Sequence, residues 1–243
     1  MIFLYVFFLI IATILPAIIW LMLFLKEDLH PEPKRLIIYT FCIGVLVSLP
    51  VLLLQLSYQK WLGSDQSKIL LLVIGLALIE EVFKFFAAYF SVHNDPAFDE
   101  PIDAMIYMIA AALGFATIEN FLVISNTLNF AQPFFSTTVN SIQTMALRFV
   151  GATLLHTLTS GLIGYYWAKS RLVKHGPALI IQGFVYATLI HAIFNFLVLR
   201  FQSNSLIYPS IFLVFILFFL LHDFEKIKAA PPAANDSTSV DLV

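Results

Sequence analysis

The chain has 243 residues, of which 60% are hydrophobic and only 12% charged, with a mean hydropathy of +0.93 and a formal net charge of -2. Soluble domains carry about 25% charged residues, so an ordinary water-soluble globule is excluded, and the near-neutral balance offers no basic face to nucleic acid. The one cysteine, Cys42, lies inside an apolar block, which excludes a disulfide framework and a zinc-thiolate cluster.

The apolar residues run in blocks of about 16 to 24, the length that crosses ~30 Å of hydrocarbon as helix. The first block, Ile2 to Leu25, has no preceding Lys or Arg and no small-residue cleavage pattern, and it is longer than a signal-peptide core; it reads as a retained first helix. Further spans are predicted at approximately Leu36 to Leu56, Ile69 to Phe90, Ile102 to Ile124, Ala146 to Ala168, Ala178 to Leu199 and Leu206 to Leu221. Between the fourth and fifth, Ser125 to Met145 mixes Ser, Thr, Asn and Gln with Phe130, Phe134 and Phe135, which suits either a solvated loop or a short interfacial helix. The expected fold class is therefore an all-α polytopic transmembrane bundle of about seven spans, a single domain over residues 1–228. The tail 229–243, with Pro231, Pro232 and small polar residues, is expected to be disordered.

Lys and Arg in the short connections set the orientation. With the amino terminus outside, the cytoplasmic side collects Lys26, Lys34, Arg35, Lys169, Arg171, Lys174, Lys226 and Lys228, against Lys60, Lys68 and Arg200 on the other side. No internal repeat is visible, which weighs against a transporter of the inverted-repeat type.

Polar side chains within the blocks carry the functional information, because an ionisable group at the bilayer centre costs ~2.5 to 3.5 kcal/mol even on the lenient insertion scale. The third span holds Glu80, Glu81 and Lys84, with the lysine within helical reach of both carboxylates. The fourth carries Phe115 and, a turn later, Glu119 and Asn120. His156 lies in mid-block on the fifth, flanked by Thr153, Thr157 and Ser160; the sixth has His191 with Asn195 one turn on. Spans three to six thus present polar groups at similar depth, and Gly75, Gly114, Gly151, Gly161 and Gly164 would let the helices approach. Glu80, Glu81 and Glu119 outweigh Lys84, so protons, a metal ion, the histidines or a water-filled cavity must compensate the excess.

This set suits hydrolysis. A buried glutamate beside a like charge is a suitable base or acid near neutrality, which describes Glu80 and Glu81. His191 and Asn195 would be donors to an oxyanion, His156 would orient water or shuttle a proton, Glu119 would position His156, and Lys84 would tune the carboxylates. Glu81, Glu119, His156 and His191 are also acceptable ligands for a divalent metal such as zinc, although no H-E-x-x-H is present, and metal dependence stays open.

Glu80-Glu81-x-x-Lys84, the run Phe98-Asp99-Glu100-Pro101-Ile102-Asp103 leading to Phe115-x-x-x-Glu119-Asn120, His156 followed by Gly164-Tyr165-Tyr166, and His191-x-x-x-Asn195 together resemble the PrsW family of intramembrane proteases, relatives of the CAAX-processing and bacteriocin-processing membrane proteases. The resemblance covers roughly Leu71 to Val198. It implies an intramembrane endopeptidase, with a protease core at about 69–200, in which Glu80 and Glu81 activate water and Lys84, Phe115, Glu119, His156, His191 and Asn195 complete the site. It further implies a membrane-anchored protein substrate, such as an anti-sigma factor cut at site 1 on the extracytoplasmic side, and a prokaryotic cell membrane location. In the wider superfamily the F-x-x-x motif ends in His rather than Glu. The metal question is inherited unresolved.

Rival readings share the residues. Intramembrane Glu and His also relay protons or cations in transporters and channels, and a structural scaffold would use Glu81 and Lys84 as an ion pair and His191 with Asn195 as an interhelical clamp. Asp103, some 16 residues and ~24 Å of helix from Glu119, reads as a helix amino-terminal stabiliser.

Overall fold

A computed structural model of the chain describes residues 2–63, 65–127, 134–172, 176–201 and 207–229, so Phe130, Lys174 and nearly all of the expected disordered tail lie outside the described residues. The elements are α1 (Ile2–Phe24), α2 (Lys34–Leu62), a 3-10 turn (Gln66–Lys68), α3 (Ile69–Val92), α4 (Asp103–Thr127), α5 (Phe134–Arg148), a π-helical turn (Phe149–Thr153), α6 (Leu154–Leu172), α7 (Gly176–Phe201) and α8 (Ile207–Lys228). There is no strand among the described residues.

Five helical stretches are long and apolar enough to cross a membrane: Val6–Phe24, Lys34–Leu62, Asp103–Asn126, Thr138–Leu172 and Gly176–Phe201. Of the seven expected spans, those in α3 and α8 are not among them; α3 is one continuous helix whose apolar run is interrupted by the charged Glu80, Glu81 and Lys84. For the polar connection after α4, which suits either a loop or a short helix in sequence, the structure takes the second reading. From Phe134 it is helix, running through the π turn into α6.

α4 is the axis of the bundle. From Ala104 to Ala116 its apolar side chains are almost wholly buried, as expected of a helix hydrophobic on all sides. Its neighbours close a ring: α4 packs on α2, α2 on α3, α3 on α7, α7 on α6, and α6 back on α4, while α1 covers α4 and α8 leans on α6. Glycines permit close crossings of α4 with α2 and with α6. A Cβ on Gly114 would run into the Phe41 carbonyl of α2, and one on Gly164 of α6 would lie 2.6 Å from the Met105 Cα. Large side chains such as Leu53 on α2, Ile181 on α7 and Phe218 on α8 are exposed, and helices with satisfied backbones and apolar outer faces suit lipid rather than water.

Candidate active site

The ring encloses the polar residues of α3. Adjacent residues on a helix point about 100° apart, so Glu80 and Glu81 enter different surroundings. Glu81, fully buried, faces α6 and α7. Its Oε1 accepts from Lys84 Nζ at 2.6 Å and His191 Nδ1 at 2.7 Å and lies 2.9 Å from the Thr159 hydroxyl; its Oε2 accepts from Ser160 Oγ at 3.4 Å. Lys84 is fully buried too, 3.2 Å from His156 Nδ1 and 5.7 Å from the centre of the Phe115 ring. The buried charge is therefore paired and its remaining hydrogen-bonding capacity is largely used, the condition under which a charge pair survives in a low-dielectric interior.

Glu80 is arranged differently. Its Oε1 accepts from Gln55 Nε2 of α2 at 2.6 Å, but its Oε2 is buried without a hydrogen-bond partner. That oxygen lies 3.5 Å from His191 Nε2 and 3.8 Å from His156 Nδ1. Glu80, Glu119, Arg148, His156, His191 and Asn195 share the wall of one cavity of about 660 Å³, whose other lining is mostly apolar. Glu81 and Lys84 do not line it.

The partners fix the histidine tautomers. An ammonium only donates, so His156 Nδ1 accepts from Lys84, and Nε2–H donates to Glu119 Oε2 at 2.9 Å. Glu81, a carboxylate beside Lys84, accepts, so His191 carries its proton on Nδ1 and turns the Nε2 lone pair toward Glu80. Two carboxylate–histidine pairs, Glu81–His191 and Glu119–His156, thus flank the free oxygen of Glu80, and the two rings meet edge to face at 5.3 Å. Phe115 packs its ring edge to face on His156 at 5.6 Å.

Arg148, at the end of α5, donates to Glu119 Oε2 at 3.2 Å and to Asn120 Oδ1 at 2.6 Å, and Asn120 Nδ2 in turn donates to Thr153 Oγ1 at 3.2 Å. The π turn between Arg148 and Leu154 brings these groups into line with His156, and π turns recur at functional sites. The Trp20 indole of α1 donates to the Phe149 carbonyl in that turn at 2.9 Å.

Every site residue expected from the sequence is thus at or against one cavity. Arg148 on the cavity wall, Gln55 bonded to Glu80 and Thr159 bonded to Glu81 complete the group; each is polar but stands near a span end or, for threonine, passes as an ordinary helix residue, so only the fold reveals its partner. Arg148 hydrogen-bonds Glu119 and Lys84 hydrogen-bonds Glu81, so Glu80 is the carboxyl of the three with no lysine or arginine bonded to it.

A divalent metal is compatible with this chemistry. Glu80, His156 and His191 each offer one donor atom, all within 4.8 Å of one another, and the unpartnered Glu80 Oε2 is the natural first donor. Glu81 and Glu119, which the sequence suggested as ligands, already have oxygens committed to Lys84 and His191, and to His156 and Arg148. Lys84 competes for His156 Nδ1, so a metal there requires that contact to loosen.

The family model for the "PrsW family intramembrane metalloprotease" matches residues 32–222, enclosing all the motifs. "Protease PrsW" of Oceanobacillus iheyensis is 29% identical over 231 residues, covering 95% of this chain and 97% of that protein. The proteins of the same name from Geobacillus kaustophilus (29% over 197 residues; 79% and 80%) and Bacillus subtilis (27% over 222 residues; 90% and 94%) are similar. No solved structure matches the chain. With an all-helical bundle, membrane-length apolar helices and this family match over most of its length, the chain belongs to the PrsW family and is an integral membrane protease acting on protein substrates.

Proposed function

We propose that the chain hydrolyses a peptide bond of a membrane-anchored protein, with Glu80 activating the attacking water. The observation that carries this reading is the Glu80 Oε2 atom, buried, unpartnered and placed between two histidines on the cavity wall. A water held against Oε2 gives its proton to Glu80 as its oxygen bonds to the carbonyl carbon. The oxyanion that forms is met by donors on the same wall, of which the Asn195 amide is the best suited. When the C–N bond breaks, the leaving nitrogen takes up the proton, directly from Glu80 or through His191 Nε2, leaving a new carboxyl and a new amine. Glu81 holds His191 Nδ1–H and stabilises the imidazolium on that route, as a buried carboxylate does for the histidine of a catalytic triad. Glu119 and Arg148 fix His156, whose ring closes the other side of Glu80.

A divalent metal such as zinc, when bound, would be held by Glu80, His156 and His191 and would supply polarisation of the carbonyl and a more acidic water. The cavity's apolar lining supports this substrate class, since it suits a single-span segment better than a soluble peptide. A membrane-anchored regulator such as an anti-sigma factor, cut on the outer side of a prokaryotic cell membrane, is the case the motif resemblance suggests, and the distribution of Lys and Arg supports an amino terminus on the outside.

The test is cleavage of a single-span reporter by the purified chain in liposomes. Glu80→Ala and Glu81→Ala should each abolish cleavage in inserted, folded protein; undiminished cleavage in both would refute the glutamate mechanism. A chelator arm with zinc add-back separates the metal-dependent from the metal-free reaction.

A further inference from the structure

The π turn sets an angle on which the proposed catalytic groups depend. Arg148 and His156 are eight residues apart in the chain, which in an unbroken α-helix would place them about 80° apart around the axis. Phe149–Thr153 instead forms a π turn, whose i→i+5 pattern spends more residues on each revolution and so narrows that angle. The two side chains accordingly reach the same atom: Arg148 Nη2 lies 3.2 Å and His156 Nε2 2.9 Å from Glu119 Oε2. Such turns are rare, so a contact from outside the helix is well placed to hold this one.

That contact comes from α1. The Trp20 indole N–H donates to the Phe149 carbonyl at 2.9 Å, and the indole stacks on the Phe149 ring with centres 5.1 Å and planes 21° apart. Phe149 is the first residue of the turn and the neighbour of Arg148. Trp20 is itself seated, since its ring lies 6.3 Å from that of Phe24, which lies 5.7 Å from Phe224 of α8. It does not line the cavity of Glu80, and it precedes the residues 32–222 that the family model matches.

We propose that Trp20 is a positioning residue: its N–H holds the π turn in the register that lets Arg148 and His156 share Glu119 Oε2, so α1 serves catalysis from outside the cavity. This role rests on the proteolytic reading of that cavity.

The test compares Trp20→Phe, which keeps a ring against Phe149 without a donor, with Trp20→His, whose ring again carries an N–H at similar reach. In liposomes Trp20→Phe should lower kcat for the reporter about 3- to 10-fold with KM unchanged, the scale of one neutral hydrogen bond, and Trp20→His should recover most of it. A packing role for the indole predicts the opposite order; that order, or an unaltered kcat in Trp20→Phe, would overturn the proposal. In an Arg148→Met chain, Trp20→Phe should change kcat by less than about twofold, because the group it positions is already gone, and a fully additive loss would contradict the assignment. Backbone hydrogen exchange at Phe149–Thr153 is read without proteolysis. It should rise in Trp20→Phe and stay near the unaltered rate in Trp20→His; equal exchange in all three chains, or protection lost throughout Trp20→Phe, would count against a positioning role. Glu80→Gln in the same liposomes reports on the proteolytic reading alone, so undiminished cleavage there would sink that reading and leave the exchange data to decide the part played by Trp20.

Discussion

Two glutamates adjacent in sequence should fail in opposite ways. Glu81→Gln removes the charge that faces the fully buried Lys84 ammonium and the acceptor of His191 Nδ1–H, which stand 2.6 and 2.7 Å from the same oxygen. Breaking a buried pair by removing one partner costs about 3–5 kcal/mol, so this variant should lose stability by that amount as well as activity. Glu80→Gln keeps an oxygen to accept from Gln55 and replaces an unpartnered oxygen with an amide that can donate to His191 Nε2. Its stability should change by less than about 1 kcal/mol, while loss of a general base removes roughly 100- to 10,000-fold of the rate. The assays are denaturant unfolding of the detergent-solubilised protein and reporter cleavage in liposomes. Glu81→Gln/Lys84→Met should recover much of the lost stability without recovering cleavage. A Glu80→Gln variant that unfolds readily, beside a stable Glu81→Gln, would refute the assignment of Glu81 as the structural partner and Glu80 as the cavity-facing group.

Arg148→Met should leave Glu119 and Asn120 without their donor and lower kcat by about 10- to 100-fold, the scale of a charged hydrogen bond, with reporter cleavage as the readout. Gly114→Val places side-chain atoms in the α2 backbone at Phe41, and thermal unfolding should show a loss of about 1–3 kcal/mol or failure to insert. Burial, with repulsion from Asp28 and Asp99, raises the Glu32 carboxyl above its ordinary value of 4.5, against the opposing hydrogen bonds of Tyr107 and Asp103. The folded state therefore binds this proton more tightly than the unfolded one. The contribution of this carboxyl to stability is fully present below the ordinary glutamate range and is lost as pH rises through the folded value; Glu32→Gln should flatten that part of the profile.

The site was legible in sequence where a residue paid a visible penalty for its position. Glu80, Glu81, Lys84, Glu119 and the two histidines stand out because charge and imidazole are expensive inside apolar helices. Gln55 and Arg148 carry no such mark: Gln55 stands one residue before the expected span end at Leu56, where a polar side chain is ordinary, and Arg148 sits at the junction of α5 and the π turn. Nor does sequence say which of two adjacent glutamates faces the cavity, since that depends on how α3 is rotated between α2 and α7. The stretch before Met145 allowed either a loop or a short interfacial helix, because it lacks the apolar run that marks a span, and the helix from Phe134 decides between the two. The motifs themselves, from Leu71 to Val198, fall inside the family match at residues 32–222, so the resemblance drawn from four short patterns held over a much longer stretch.

The most direct measurement is mass spectrometry of reporter products formed by the purified chain in liposomes prepared in H2(18)O. Glu80-activated water predicts a new carboxyl terminus within or beside the reporter's span carrying one labelled oxygen, with no such product from folded Glu80→Gln. An inserted, folded chain that cleaves nothing, yet conducts protons or cations in a manner that Glu80→Gln abolishes, would contradict it.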